Sequence, residues 1–240
     1  MKTYRSLVLG AVVCLSLSAC QTTNGKMTDA PMLSASVDSA TARAANAAGD
    51  IPAKPLPVAE KLYNKNPSDP LAAMEYARAL REAKFTEKAL EVLKPFAKST
   101  SAVPPVLLEY SSVLLARGDY AGAETAARKV VALDAGNYKA YHNLGLALET
   151  QGKHPEAEQA FRKGLDLWQG NPTTVMNNLA LNLASQGYLD ESVDLLRKAQ
   201  TLSPHRTEIE RNIRIVTALQ QAARGPAPKP VKKPAVGADG

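Results

Sequence analysis

Large apolar and small residues along the middle of this chain recur with a helical period, and the helical pattern itself recurs. The clearest copy is Tyr138–Asn171, YKAYHNLGLALETQGKHPEAEQAFRKGLDLWQGN. Tyr141, Leu144, Gly145 and Leu148 fall three, four and seven residues apart, which puts them on one face of an α-helix. Gly152 marks a turn, and Ala157 and Phe161 stand one turn apart on a second helix. The segment predicts two amphipathic helices folded against each other.

The same arrangement returns at nearly constant spacing. Counting each copy from the start of its first helix, the seventh position is Tyr76, Tyr110, Leu144 and Leu179, in steps of 34, 34 and 35 residues. The eighth is Ala77, Ser111, Gly145 and Ala180, all small enough to let two helices approach closely. The eleventh is Leu80, Leu114, Leu148 and Leu183. The small position of the second helix is Ala89, Ala123, Ala157 and Ser192. The turn carries Gly118, Gly152 and Gly187, with Lys84 in the first copy. One such hairpin cannot bury its apolar face alone, and stacking buries it, so the expected domain is a solenoid.

These positions resemble the tetratricopeptide repeat (TPR) family over about residues 70–224. The resemblance implies an all-α fold: a right-handed superhelix of about four helix-turn-helix repeats plus a capping helix. The repeats fall at about 70–103, 104–137, 138–172 and 173–206, with the capping helix at 207–224. The chain departs from the family pattern in lacking its Trp, where Ala73, Leu107, Tyr141 and Met176 stand, and in keeping the terminal Pro only at Pro204. Pro70, Pro104 and Pro155 suit the first turn of a helix, where a missing N–H costs nothing. Pro95 lies late in a second helix and is expected to end or kink it. Pro57–Asn64 reads as a short helix with Val58, Leu62 and Tyr63 as its apolar positions, and the capping helix carries Ile209, Ile213, Val216 and Leu219 on its core side.

The ends read differently. Residues 1–19 are a basic start at Lys2 and Arg5 followed by an apolar run too short to span a membrane stably. The sequence Leu17-Ser18-Ala19-Cys20 resembles the lipobox of bacterial lipoproteins. That resemblance implies cleavage before Cys20, acylation of Cys20 and, with Gln21 next to it, an outer-membrane address on the periplasmic face. Several acyl chains, at about 0.8 kcal/mol per buried CH₂, would hold a soluble domain on a bilayer. Residues 20–56, rich in Ser, Thr, Ala and Asp, read as a flexible tether, with Ala40–Ala48 able to become helical. Residues 57–224 are the repeat domain, and 225–240, rich in Pro and Lys, read as a disordered tail.

Composition narrows the chemistry. Aromatics are 5% of the chain and the net charge is +6, spread without a basic stripe, which argues against nucleic acid as a partner. The two cysteines are Cys14, in the leader, and Cys20, so a mature chain would keep no thiol for a disulfide, a metal or catalysis. His142, His154 and His205 have no metal-binding spacing, and no nucleophile or phosphate-loop motif occurs. The expectation is a non-enzymatic protein with no cofactor, metal site or small-molecule substrate. In the TPR family the first helices line the inner wall, which implies partner-binding candidates at Lys139, His142, Asn143, Leu146, Asn177, Asn178, Leu181, Arg211 and Asn212. The layout of lipobox, repeats, Asn177–Gly187 and a final Arg211-Asn212-Ile213 helix is similar to the TPR lipoproteins of tight-adherence (Flp) pilus systems. That similarity implies a pilotin-like role: binding a secretin or other pilus component at the membrane. A TPR lipoprotein that docks cell-wall synthases or hydrolases is the alternative, and a cell-wall enzyme the alternative of a different class.

Overall fold

Ten α-helices and no strand make up residues 53–224, the part of the chain that the computed structural model describes. The leader, Cys20, most of the tether and the C-terminal tail lie outside the described residues. A first helix, α1 (Leu56–Lys65), precedes four hairpins: α2 (Pro70–Glu82) with α3 (Thr86–Ala97), α4 (Pro104–Arg117) with α5 (Tyr120–Leu133), α6 (Tyr138–Thr150) with α7 (His154–Asp166), and α8 (Thr173–Ser185) with α9 (Leu189–Leu202). The last helix is α10 (Thr207–Arg224). Asp69, Asp119 and Asn137 cap α2, α5 and α6 by accepting the backbone N–H groups of Leu71, Gly122 and Ala140 at 2.9–3.1 Å.

Packing sets the layers. Each first helix (A) packs on the second helix (B) of its own hairpin and on the B helix before it, and consecutive A helices also touch side by side. Consecutive B helices do not pack together comparably among the described residues. A stack held together along its A layer and splayed along its B layer curves with the A helices inside.

The turns between A and B reverse the chain through one residue in the left-handed region: Lys84 (φ 68°), Gly118 (87°), Gly152 (74°) and Gly187 (87°). Glycine enters that region freely, whereas a Cβ there costs about 1 kcal/mol, so Lys84 holds the first turn at a disadvantage. The A and B helices approach closely in the third repeat. A Cβ added at Gly145 would stand 2.5 Å from the ring of Phe161, which is completely buried. The extra residue of the third step is absorbed before α8, where Gly170 (φ 80°) also takes the left-handed conformation and the Trp168 indole N–H donates to the Asn171 carbonyl at 3.1 Å.

Two local expectations need correction. Helix α3 runs through Pro95 to Ala97, because Pro95 lies in the last turn and only one main-chain bond is lost there; α3 is nonetheless the shortest B helix, at 12 residues. In α1 the inward stripe is Leu56, Ala59 and Tyr63, and Val58 and Leu62 lie outside it and face water at 48% and 43% exposure. Tyr63 stacks on Tyr76 with ring centroids 5.3 Å apart, and that contact orients the helix. In α10 the core side is as expected: Ile209 and Val216 are fully buried, Ile213 is half-buried against the same cluster, and Leu219 is half-buried.

Two substitutions at glycine-type positions should move stability in opposite directions. Lys84→Gly is expected to raise the unfolding free energy by about 1 kcal/mol by relieving the left-handed turn. Gly145→Ala is expected to lower it by about 1–3 kcal/mol, because the added methyl would overlap the fully buried Phe161 ring. Urea unfolding followed by circular dichroism checks both.

Candidate functional site

The A layer carries polar residues at positions that meet the next A helix, and those side chains hydrogen-bond across each junction. Between the first and second repeats, Arg81 Nε donates to Glu109 Oε1 at 2.6 Å, and both residues are buried. Arg78 reaches Glu109 Oε2 at 3.4 Å and Glu75 Oε1 at 3.6 Å. Between the second and third, Asn143 Nδ2 donates to Ser111 Oγ at 2.8 Å and Ser112 Oγ at 2.9 Å. Both serine hydroxyls donate onward to the Leu108 carbonyl. The three side chains thus form a closed set in which every hydroxyl both gives and receives.

The junction between the third and fourth repeats has two such clusters. In one, Glu149 accepts from Asn182 Nδ2, meets His154 Nδ1 at 3.1 Å and receives the Ser185 hydroxyl at 3.4 Å. In the other, Asn178 Nδ2 donates to His142 Nε2 at 2.9 Å. That contact extends into a directed series. Asn212 Nδ2 on α10 donates to Asn177 Oδ1 at 2.8 Å, Asn177 Nδ2 to Asn178 Oδ1 at 3.3 Å, and Asn178 to His142. The amides point the same way, towards an imidazole whose Nε2 must be a lone pair. Its proton then sits on Nδ1, which is buried without a hydrogen-bond partner. The ring of His142 lies against Phe161 and Trp168 with centroids 6.1 and 5.8 Å away. Burial among these groups, with no charge partner, pushes the His142 imidazolium pKa down to about 4.

His142, Asn143, Leu146, Asn177, Asn178, Leu181 and Asn212 are all buried. The amides bond to the next A helix because consecutive A helices lie close enough for position five or six of one to reach its neighbour. Among the expected residues, Lys139 is half-buried, with its ammonium 5.7 Å from the Tyr138 ring centroid, and Arg211 is exposed. Sequence reasoning missed Arg81–Glu109, Ser111–Ser112–Asn143 and Glu149–Asn182–His154 as clusters. The signal available was the recurrence of polar residues about one repeat apart on the A helices, which marks partners as readily as it marks a surface.

The outer edge is tied in the same repeat-to-repeat manner. Glu124 on α5 receives Lys153 at 2.8 Å, Arg128 at 2.9 Å and the Gln151 amide at 3.0 Å, and the Lys153 ammonium above all holds its carboxyl down at about 2. Arg162 on α7 bridges Glu158 and Glu191 at 2.9 and 2.7 Å. Among the described residues no group of three or more His, Cys, Asp or Glu is placed to hold a metal ion, and no helix is long and apolar enough to cross a membrane.

Comparison with known proteins agrees with the fold. Family models described as tetratricopeptide repeat match residues 111–172 and 173–199. A search of curated proteins gave no significant match. Among solved structures, TTC0263, a thermophilic TPR protein of Thermus thermophilus, superposes with a TM-score of 0.59 at 20% identity, over 68% of this chain and 89% of that one. MamA from Desulfovibrio magneticus RS-1 gives 0.53 at 18% identity over 75% and 99%. YrrB, described as a TPR protein with an unusual peptide-binding site, gives 0.54 at 18% over 68% and 83%. Residues 111–199 thus match tetratricopeptide repeats, and the stacked hairpins have the fold of a TPR solenoid.

The buried imidazole gives the seam a pH dependence. His142 has a folded pKa below its unfolded value of about 6.5, so the unfolded chain binds the extra proton first and stability falls as pH drops from about 6.5 to 4. Protonation also places an N–H against the Asn178 amide donor, so the amide series must reverse. A loss of roughly 3 kcal/mol over this range is expected. Glu124 adds a second loss at lower pH, between its unfolded range and about 2. Urea unfolding of the native chain and His142→Gln across pH 2–7 checks this: the variant should lack the upper step and keep the lower one.

Proposed function

We propose that this chain is a non-enzymatic adaptor that binds a protein partner along the inner face of its A layer, and that it does so for tight-adherence (Flp) pilus assembly. The observation that carries the adaptor reading is the curved A layer itself. Its consecutive helices are locked side by side by hydrogen bonds, so it offers a preformed surface across several repeats, with charged side chains (Arg78, Lys139, Arg211) along it. A surface formed before the partner arrives loses little entropy on binding. The peptide-binding site of YrrB, on a solenoid of like architecture, supports the same use.

The finer part of the reading rests on sequence. The Leu17-Ser18-Ala19-Cys20 lipobox and Gln21 support acylation at Cys20 and attachment to the outer membrane, facing the periplasm. In this reading the lipid is the only anchor and no cofactor is needed. Confinement to a membrane raises the local concentration of partners, so a modest affinity for a secretin or pilus subunit suffices. The pilotin-like role follows from the similarity of the whole layout to the Flp-system lipoproteins.

Photo-crosslinking in cells from positions 139 and 211, followed by mass spectrometry, tests the partner. A secretin or pilus subunit as the main adduct is the expected outcome. A cell-wall enzyme as the adduct removes the pilus role and keeps the adaptor. No adduct at either position, with good incorporation, removes the inner face as the working surface. In parallel, Cys20→Ser is expected to move the protein from salt-washed membranes to the soluble fraction, and retention in the membrane would remove the lipid anchor from the reading.

A further inference from the structure

Of the three junctions along the A layer, the one between the third and fourth repeats alone contains histidines among the described residues. The first is the Arg81–Glu109 ion pair, and the second is Asn143 with two serines, which do not titrate. The third is fastened at two separate places. Near the starts of α6 and α8, His142 accepts from Asn178. Near their ends, Glu149 holds Asn182 and Ser185 and meets His154. Seven residues separate His142 from Glu149, about 10 Å along the helix axis.

A proton acts in opposite directions at these two places. At His142 the Nε2 lone pair faces an amide N–H, and Nδ1 has no hydrogen-bond partner. An imidazolium there carries two N–H groups and no acceptor unless the Asn178, Asn177 and Asn212 amides all turn over. No counter-charge is at hand either. The rings of Phe161 and Trp168 flank it, and α8 has no charged side chain along its whole length. The carboxylates of α4 and α5 are engaged elsewhere, Glu109 by Arg81 and Glu124 by Lys153 and Arg128. Lys139, one turn earlier on α6, has the same sign of charge. At the other place, His154 Nδ1 stands 3.1 Å from Glu149 Oε2, so an imidazolium there completes an ion pair. Around His154, α8 supplies only the amides of Asn182 and Gln186, which bond its carbonyl, and Glu158 on α7 is held by Arg162 and Gln186.

We propose that acid pivots the fourth repeat, with α10, on the third: protonation parts α6 from α8 at His142 while the Glu149 cluster stays closed as the hinge. The hinge is a junction with two hydrogen-bonded ends of opposite response, and the lever is the rigid hairpin α8–α9. Because α6 and α8 belong to the A layer, the pivot would alter the curvature of the surface that the adaptor reading assigns to a partner. That consequence rests on the adaptor reading; the pivot itself does not.

Distances between nitroxide labels in the full chain, in a Cys14→Ser, Cys20→Ser background, test it by double electron–electron resonance at pH 7 and pH 4. Lys129→Cys with Lys198→Cys, exposed near the ends of α5 and α9, reads the His142 edge. Ala121→Cys with Tyr188→Cys, exposed beside the A–B turns, reads the Glu149 edge. Glu124 stays ionised at pH 4, since its carboxyl is held down at about 2. The expected result is that the first pair lengthens by a few ångström at pH 4 and the second does not. Adding Asn178→Asp, which sets a carboxylate against Nε2, should keep the first pair at its pH 7 distance; His142→Gln should do the same. Lengthening of both pairs means a general loosening and overturns the proposal. So does a first pair that fails to lengthen, or one that lengthens equally in His142→Gln. Loss of the far-ultraviolet helical signal at pH 4 overturns it too, because the proton then melts the chain and does not pivot it. None of these failures touches the adaptor reading, which the adducts at positions 139 and 211 test.

Discussion

Everything in this solenoid depends on how closely an A helix and its B helix can approach. At Gly145 the backbone of α6 lies so near Phe161 of α7 that a single methyl group would overlap the ring. Ala77, Ser111 and Ala180 occupy the same place in the other repeats, and each is buried completely. Small residues on the A side let large ones on the B side fill the space behind the hairpin. Only then are the A helices drawn into a continuous layer, with their flanks near enough for Asn143 to reach Ser111 and for Asn178 to reach His142. The polar junctions follow from the apolar ones.

Those junctions also set a limit on how the layer can change. A buried amide that loses its partner costs about 1–3 kcal/mol, so sliding one A helix along the next is opposed at every repeat. Hydrogen bonds act here chiefly as markers of register, since apolar surfaces of Leu and Ala would accept several alignments. The His142 site is the exception in chemistry: it is the place where a proton, and not a side-chain substitution, can reverse the bonding.

The repeat and its turns could be read from residue types alone, because they are local. A small residue every 34 or 35 positions and a glycine at each A–B turn have one physical explanation. Lys84 was legible as the exception and takes the same left-handed conformation as the glycines. The use of the polar A-helix residues was not legible. Asn143 and Asn178 stand where a curved layer could show them to a ligand or to the next helix, and the difference depends on the spacing of helices that sequence does not encode locally. The same holds for α1, where Val58 and Tyr63 look equally apolar and only the stack of Tyr63 on Tyr76 decides which side turns inward. Pro95 shows the converse, a strong local signal that the last turn of a helix absorbs.

Every inter-repeat bond in the A layer joins residues close in the chain: 28 positions separate Arg81 from Glu109, 32 separate Asn143 from Ser111, and 36 separate Asn178 from His142. No hairpin waits for a segment more than one repeat away. Low contact order of this kind goes with rapid folding. It also means that a chain emerging from a narrow channel, N-terminus first, can complete each hairpin against the one already outside. The growing stack would then act as its own template, and a pause in emergence would leave a shorter solenoid and not a misfolded one.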